Sequence, residues 1–319
     1  MDAKPLVSVI IPCYNSPDLQ AAVRSVLSQD YPRIQLILVD DASDHFSKPD
    51  IEHMIRSFSK SNLEQFAILS NPENKGTVHT INRGISAAAG EIIVTLAGDD
   101  CFYDDRVLSD WVAAFGKSGA QVMTAYRAVY DQTLKKELYI APTEAEVQMI
   151  RNLSPEELFE RLAEYNFIFG CCTARTAESI RRYGAFDERY CLIEDHPMNL
   201  RLLRQGEPIC FFERIVVKHR GGGASSPLQY NQVYEQDVDK ILQHEVLPFT
   251  RYPRRMRRKY RLWKRDQELL RRRAMLLSRN KSALMGIGIQ LWYYLHHPWR
   301  TLCRLPGWIR KKLKGVRHP

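Results

Sequence analysis

Val94-Thr95-Leu96-Ala97-Gly98-Asp99-Asp100-Cys101-Phe102 is the stretch on which the reading of this chain turns. An apolar run of strand character, Ile92 to Leu96, stops at two adjacent carboxylates, and a helix-like stretch, Asp104 to Phe115, follows. Carboxylates at the carboxyl end of a buried strand lie where open α/β sheets bind their ligands, and hard divalent cations prefer oxygen donors of this kind. A turn that doubles as a helix cap accounts for the same two acids, because Asp is a common turn residue. The flanking sequence has to separate the two readings.

Upstream, Leu6 to Ile11 is short, β-branched and nearly all apolar, as a strand covered on both faces should be. It runs into Pro12-Cys13-Tyr14-Asn15-Ser16, after which a helix is expected with Ser16 as N-cap and Pro17 at its first position. Leu36 to Val39 reads as a second buried strand ending on Asp40-Asp41-Ala42-Ser43, and Phe66 to Leu69 as a third. The loop Asn71 to Gly76 leads to a helix ending near Ala89, with Gly90 as its C-cap, and then to the strand into Asp99-Asp100. Strands alternating with helices predict a mostly parallel, doubly wound α/β sheet. Tyr14, Asp41 and Asp99 each follow a strand end, so this topology gathers them in one crevice. Neither a GxxxxGK[ST] phosphate loop nor a GxGxxG fingerprint is present, so a nucleotide would not sit in a glycine-rich cradle.

The second half is less regular. Gln121 to Val129 reads as a strand, Asp131 to Asn152 as a long polar excursion, Ser154 to Ala163 as a helix with Pro155 at its start, and Phe167 to Thr173 as another strand. After a turn at Tyr183 to Asp187, Glu194-Asp195-His196 opens a helix, where acids are also favoured simply as partners of the helix dipole. Ile209 to Val217 returns as a strand to Lys218-His219-Arg220 and three glycines. A lone histidine in such a place is more often structural than a ligand.

Charge divides the chain. Residues 251–319 hold 21 Lys and Arg against 2 acids, a balance of +19, which leaves −10 for residues 1–250 within the overall +9. An acidic body with a basic tail points to an anionic partner for the tail. The tail interleaves Trp292, Tyr293, Trp299, Leu302, Leu305 and Trp308 with Arg300, Arg304, Arg310, Lys311 and Lys312, the pattern of an interfacial helix on an anionic leaflet. Ordinary packing on the domain is the plainer alternative, and nucleic acid fits less well. Seven cysteines without a CxxC pair argue against a disulfide framework and for a reducing compartment. The polar start and the lack of a ~20-residue apolar run predict no signal peptide and no spanning helix, hence a cytoplasmic protein peripheral on the inner membrane face.

Six motifs in order carry a resemblance: Val7 to Asn15, Val39 to Ser43, Asn74-Lys75-Gly76 with Asn82-Arg83-Gly84, Gly98-Asp99-Asp100, Gly184 to Asp187, and Glu194-Asp195. Over residues 6–223 the chain resembles glycosyltransferase family 2, of the membrane-associated bacterial polysaccharide type. The resemblance implies a GT-A fold and inverting transfer of a sugar from a nucleotide-diphosphate donor, expected to be a UDP-sugar, to a hydroxyl of a glycan or lipid-linked glycan. It implies that Pro12, Tyr14, Asn15 and Asp41 hold the nucleotide with Asp99 on the ribose side. Asp100 would be the ligand of Mn²⁺ or Mg²⁺, and Asp195 the catalytic base with Glu194 its neighbour. Many members carry a further Asp at the position of Ala97, so here the metal would lean on Asp100 and His219; Arg220 could contact the diphosphate. The expected organisation is a domain over 1–223, with a nucleotide half to about 118 and an acceptor half from about 119, followed by a helical basic region over 224–319.

The chemistry agrees with that division of labour. A diphosphate leaving group needs its growing charge neutralised, and an attacking hydroxyl needs a positioned carboxylate to take its proton. A sugar nucleotidyltransferase shares this type of domain, but its Gly-rich, basic N-terminal loop is replaced by Pro12-Cys13-Tyr14-Asn15. A non-catalytic glycan- or nucleic-acid-binding protein on the same scaffold would have had no need of Asp41, Asp99, Asp100 and Asp195 together.

Overall fold

The computed structural model describes residues 4–58, 62–222 and 230–279. The chain divides into two compact units, Met1–Ser226 with Asn231–Tyr260, and Pro227–Tyr230 with Arg261–Pro319. In chain order the elements are β1 (Val7–Cys13), α1 (Leu19–Leu27), β2 (Ile34–Asp40), α2 (Lys48–Ser57), β3 (Leu63–Ser70), α3 (Thr77–Ala87), β4 (Ile92–Thr95), β5 (Cys101–Phe102) and α4 (Val107–Ser118). They continue with β6 (Val122–Tyr130), β7 (Glu137–Ala141), α5 (Glu144–Asn152), α6 (Pro155–Leu162), β8 (Thr173–Thr176), α7 (Ala177–Tyr183), α8 (Asp195–Arg204), β9 (Cys210–Arg220), α9 (Gln232–Ile241) and α10 (Pro253–Arg279). Of the second unit, the described residues form mainly the arginine-rich continuation of α10.

One sheet organises the first unit, in the order β3-β2-β1-β4-β8-β6-β9-β5, with β7 paired to β6. Its first four strands are parallel, as the alternation of strands and helices predicts. β2 is buried along its whole length because helices cover both faces of a parallel sheet. Each of its fully buried Ile, Leu and Val side chains contributes about 1.5–3 kcal/mol. Gln35, a polar residue within that run, is satisfied by Ser8 Oγ and by the Ala87 carbonyl at 3.0 Å. α3 lies close on the sheet because Gly84 has no side chain: a Cβ there would stand 2.4 Å from Ile10 Cγ2.

Beyond β4 the parallel pattern breaks. β8 runs antiparallel to both β4 and β6, and β5 antiparallel to β9, while β6 and β9 are parallel. The mostly parallel expectation therefore holds for the nucleotide-side half and gives way to a mixed sheet beyond it.

Several local expectations are corrected. The first helix starts at Leu19 and not at Pro17, with Asp18 rather than Ser16 at its N-cap position and no side-chain cap. Asn15 takes a left-handed φ of 47° and is tied to the loop after β2, so the chain turns before it can coil. The C-cap of α3 is Ala88, and Gly90 instead permits close approach to β1, since a Cβ there would lie 2.5 Å from Ser8 N. The polar excursion from Asp131 contains β7 and then α5, opened by a capping box of Thr143 and Glu146. Phe167 to Thr173 is no strand: Gly170–Cys172 forms a 3-10 turn and β8 begins at Thr173. The tail segments read as interfacial, 285–295 and 299–313, lie outside the described residues.

Candidate active site

Three strand ends form the first wall. The Gly98 amide donates to the Pro12 carbonyl at 3.0 Å, and the Asp41 amide to the Cys13 carbonyl at 2.8 Å, so the loops after β1, β2 and β4 are bonded side by side. Gly98 is required there, because a Cβ would lie 2.8 Å from both Cys13 Cβ and Ser16 Oγ. Tyr14 projects from this wall 51% exposed. Asn15 is exposed and bridges to Ser43 and Asp44, joining two of the loops.

Asp41 is buried, and its oxygens face the loop before α3. Oδ1 accepts from Asn71 Nδ2 at 2.7 Å and from the Lys75 amide at 2.9 Å, and Oδ2 accepts from the Gly76 amide at 2.8 Å. In this state the carboxylate organises that loop. Gly76, at φ 89°, is pressed against Cys191: a Cβ there would be 2.3 Å from Cys191 Sγ. The Val78 amide completes the junction by donating to the Cys191 carbonyl at 3.1 Å. Two of the sequence motifs meet further along the same seam, where Asn82 pairs with both the amide and the carbonyl of Phe186, at 3.0 and 2.8 Å.

Asp100 sits at the centre with no exposed surface. Its Oδ1 accepts from the Arg220 amide at 2.8 Å, and its Oδ2 lies 2.9 Å from His219 Nδ1. Burial alone would depress the His219 imidazole, but the Asp100 charge outweighs it and pushes the group up to about 10. Asp99 is raised by burial and then by its neighbour Asp100. The Arg220 guanidinium is taken up by the carbonyls of Asp99 and Gln132 and by the Asp18 carboxylate. It is thus a brace of the site in this state.

Sequence reading did not anticipate Cys171. A ligand atom of Asp100, of His219 and of Cys171 all lie within 4.8 Å of one another, the grouping expected of residues that can hold a divalent ion. Arg127 Nη1 stands 3.7 Å from Cys171 Sγ, with its guanidinium 3.6 Å above the Phe169 ring. A hydrogen bond with Cys172, then burial, hold the Cys171 thiol well above its usual range. No spacing in the sequence marks this residue, because its neighbours come from β4 and β9.

The second acid pair, distant in sequence, meets the residue that precedes Cys171. Asp195 is the first residue of α8, and its Oδ2 accepts from the Gly170 amide at 2.9 Å, one residue before Cys171. Its Oδ1 accepts from the His196 amide at 2.6 Å. α8 has no side-chain cap at Glu194, so plain capping does not account for the pair. Burial first, and then Asp195, push the Glu194 carboxyl up to about 8. Behind both acids lies Arg175, a buried cation unmarked in the sequence; it donates to Asn199 Oδ1 at 3.1 Å.

The structure thus gathers Asp100 and His219 in one cluster, Glu194 and Asp195 in another, and Pro12, Tyr14, Asn15 and Asp41 along the strand ends. Among the described residues no helix is long and apolar enough to cross a membrane.

The profile described as Glycosyl transferase family 2 matches residues 8–184. An uncharacterized glycosyltransferase of Rickettsia felis is 28% identical over 219 residues, 68% of this chain and 34% of its own length. The putative teichuronic acid biosynthesis glycosyltransferase TuaG of Bacillus subtilis is 28% identical over 171 residues, 53% of this chain and 61% of that relative. The chain therefore spans a third to under two thirds of the length of these relatives. Among solved structures, S. aureus TarS 1-349 in complex with UDP-GlcNAc is similar at TM-score 0.57 and 16% identity, covering 82% of this chain and 72% of that one. The mannosyltransferase PcManGT of Pyrobaculum calidifontis, in complex with GDP-Man and Mn²⁺, gives TM-score 0.58 at 16% identity, covering 95% and 84%. At such identities the structural likeness speaks for the fold alone, which is the GT-A fold. With the matched profile spanning more than half of its residues, one acid pair beyond a strand end and the other at the start of α8, this chain belongs to glycosyl transferase family 2.

Proposed function

We propose that this protein transfers a sugar, with inversion, from a nucleotide-diphosphate donor to a hydroxyl of a glycan or lipid-linked glycan. One observation carries the reading above the others. Gly170 and Cys171, adjacent in the chain, touch the two acid clusters, so a carboxylate able to accept a proton lies beside a centre able to hold a cation.

Asp100 and His219 fit a divalent ion, since they offer a buried carboxylate and an imidazole on one spot. When bound, that ion supplies Lewis-acid neutralisation of the charge on the departing diphosphate. Tyr14 offers its exposed ring to the base, and Asp99 its carboxylate on the ribose side. The Asp195 carboxylate, fixed through both oxygens by backbone amides, takes the proton of the attacking hydroxyl. Glu194, pushed up to about 8, keeps its own proton at neutral pH and does not compete as the base. A single displacement needs one base and no nucleophile from the protein, which matches this inventory.

The donor class is supported by the nucleotide sugars bound to the two structural neighbours, UDP-GlcNAc and GDP-Man, and we favour a UDP-sugar. A glycan acceptor is supported by the relative named for teichuronic acid biosynthesis. The +19 balance of residues 251–319 supports attachment to an anionic membrane surface, on which a lipid-linked acceptor would be met.

The test is thermal unfolding with a panel of nucleotide sugars and Mn²⁺. A ligand bound only by the folded state at 100 times its Kd stabilises by ~2.7 kcal/mol, a shift that such scans resolve. A shift with UDP-sugars and Mn²⁺ together is expected. No shift with any nucleotide sugar overturns the proposal.

A further inference from the structure

We propose that Cys171 is a third protein ligand of the cation centre, which makes the centre an oxygen, nitrogen and sulfur site that selects Mn²⁺, Co²⁺ or Zn²⁺ over Mg²⁺. The inference rests on the metal-dependent transfer proposed above and deepens it.

The geometry comes first. Ligand atoms sit about 2.0–2.3 Å from such an ion, so neighbouring ligand atoms stand roughly 3–4 Å apart. Asp100, His219 and Cys171 each present one within 4.8 Å of the others, a spacing that a small contraction brings to that range. Three separate pieces of the sheet deliver them: Asp100 from the turn after β4, Cys171 from the 3-10 turn before β8, and His219 from the last residues of β9. β8 and β9 are held on either side of β6, and Val129 faces His219 in that ladder while Thr124 faces Thr173. His219 is therefore fixed by the ladder itself, and Cys171 lies two residues before the start of β8 in it.

A structural buried cysteine ordinarily packs among apolar side chains. Cys171 instead adjoins a carboxylate, an imidazole and the guanidinium of Arg127, 3.7 Å from its Sγ. Arg127 is itself oriented by its stack on Phe169, and its Nε has no hydrogen-bond partner. Ligation requires the thiolate and a neutral imidazole nitrogen, so cation binding releases the protons of Cys171 and His219 to solvent, and Arg127 offsets part of the resulting charge.

Chemical preference follows from the donor set. Mg²⁺ demands hard oxygen ligands and keeps its waters, whereas thiolate and imidazole suit transition-metal ions. At the position of Ala97 no further carboxylate is offered, so there is no third hard donor from that strand end to favour Mg²⁺.

The experiment uses the full chain titrated with Co²⁺, with and without UDP, followed by electronic absorption. A thiolate-to-cobalt charge-transfer band is expected in the near ultraviolet for the wild type and is expected to vanish in Cys171→Ser, while a weaker Co²⁺ complex persists. Competition should show Mn²⁺ and Co²⁺ preferred over Mg²⁺ by about tenfold or more in the wild type, a preference that collapses in Cys171→Ser. Cobalt bound without the band, or a band unchanged in Cys171→Ser, overturns the role of Cys171. In that case loss of Co²⁺ binding in Asp100→Asn leaves the metal-dependent reading standing. No Co²⁺ bound in either condition overturns both.

Discussion

The backbone amide of Gly170 donates to Asp195 Oδ2 at 2.9 Å, and this contact ties the candidate base to the segment that carries Cys171. A side chain on residue 170 would push on both acids. A Cβ on residue 170 would stand 2.3 Å from Glu194 Oε1 and 3.3 Å from Asp195 Cβ. Gly170→Ala is therefore expected to displace the acids while leaving the nucleotide wall intact. Misplacement of a reacting group by about 1 Å costs on the order of a hundredfold in rate, so transfer should fall by that order with UDP affinity nearly unchanged. Normal turnover by Gly170→Ala would show that the contact does not position the base.

Asp195→Asn separates a base from a helix terminus. Asn preserves size and is about as good near a helix start as Asp, so the melting temperature should hold. Removing the proton acceptor should lower transfer by ~10²-fold or more while UDP binding remains. Transfer rate, UDP calorimetry and a melting curve on the same variant decide it, and near-normal transfer rules out the base assignment.

Glu194 predicts a pH dependence of stability. Burial and then Asp195 raise its carboxyl from 4.5 to about 8, so across that window the folded chain holds a proton that the unfolded chain has lost. Stability contributed by this group is complete below pH 4.5 and is lost as the pH rises through about 8. Glu194→Gln removes the titrating group. The melting temperature of the wild type should therefore fall, relative to Glu194→Gln, as the pH is raised across the window; parallel curves would contradict the shift.

Asp41→Ala tests a structural debt at the nucleotide wall. The substitution strips a partner from one N–H of Asn71 Nδ2 and from the Lys75 amide, while the Gly76 amide keeps Asn74 Oδ1 at 3.2 Å. Each buried donor left unsatisfied costs about 1–3 kcal/mol, so the variant should lose at least about 2 kcal/mol in denaturant unfolding. A loss below about 1 kcal/mol would mean that water replaces the carboxylate at little cost.

For the basic tail, full-length protein should float with anionic vesicles and a chain ending at residue 282 should not. Basic residues near such a surface contribute ~1 kcal/mol each and are screened by salt, so binding should weaken as ionic strength rises. Flotation indifferent to truncation and to salt would remove the membrane from the proposal.

The local order of residues determined most of the nucleotide-side half. Buried β-branched runs at Val7–Cys13 and Ile34–Asp40 read as covered strands, and the acids at the end of the second fall where this topology forms a crevice, because side-chain periodicity and strand order act together. Asp99-Asp100 and Glu194-Asp195 were legible for the same reason: adjacent residues of one chemical type announce themselves. What the sequence could not show is set by contacts between residues far apart in the chain. Asp41 turns its carboxylate onto the amides of residues 75 and 76, Asn82 reads the backbone of Phe186, and β8 enters antiparallel where alternation predicts another parallel strand. Cys171 is the clearest instance. No neighbour in sequence distinguishes it from Cys172; it meets Asp100 and His219 only because β4, β8 and β9 are aligned in one sheet, and strand register is a property of the folded ladder and not of any short segment.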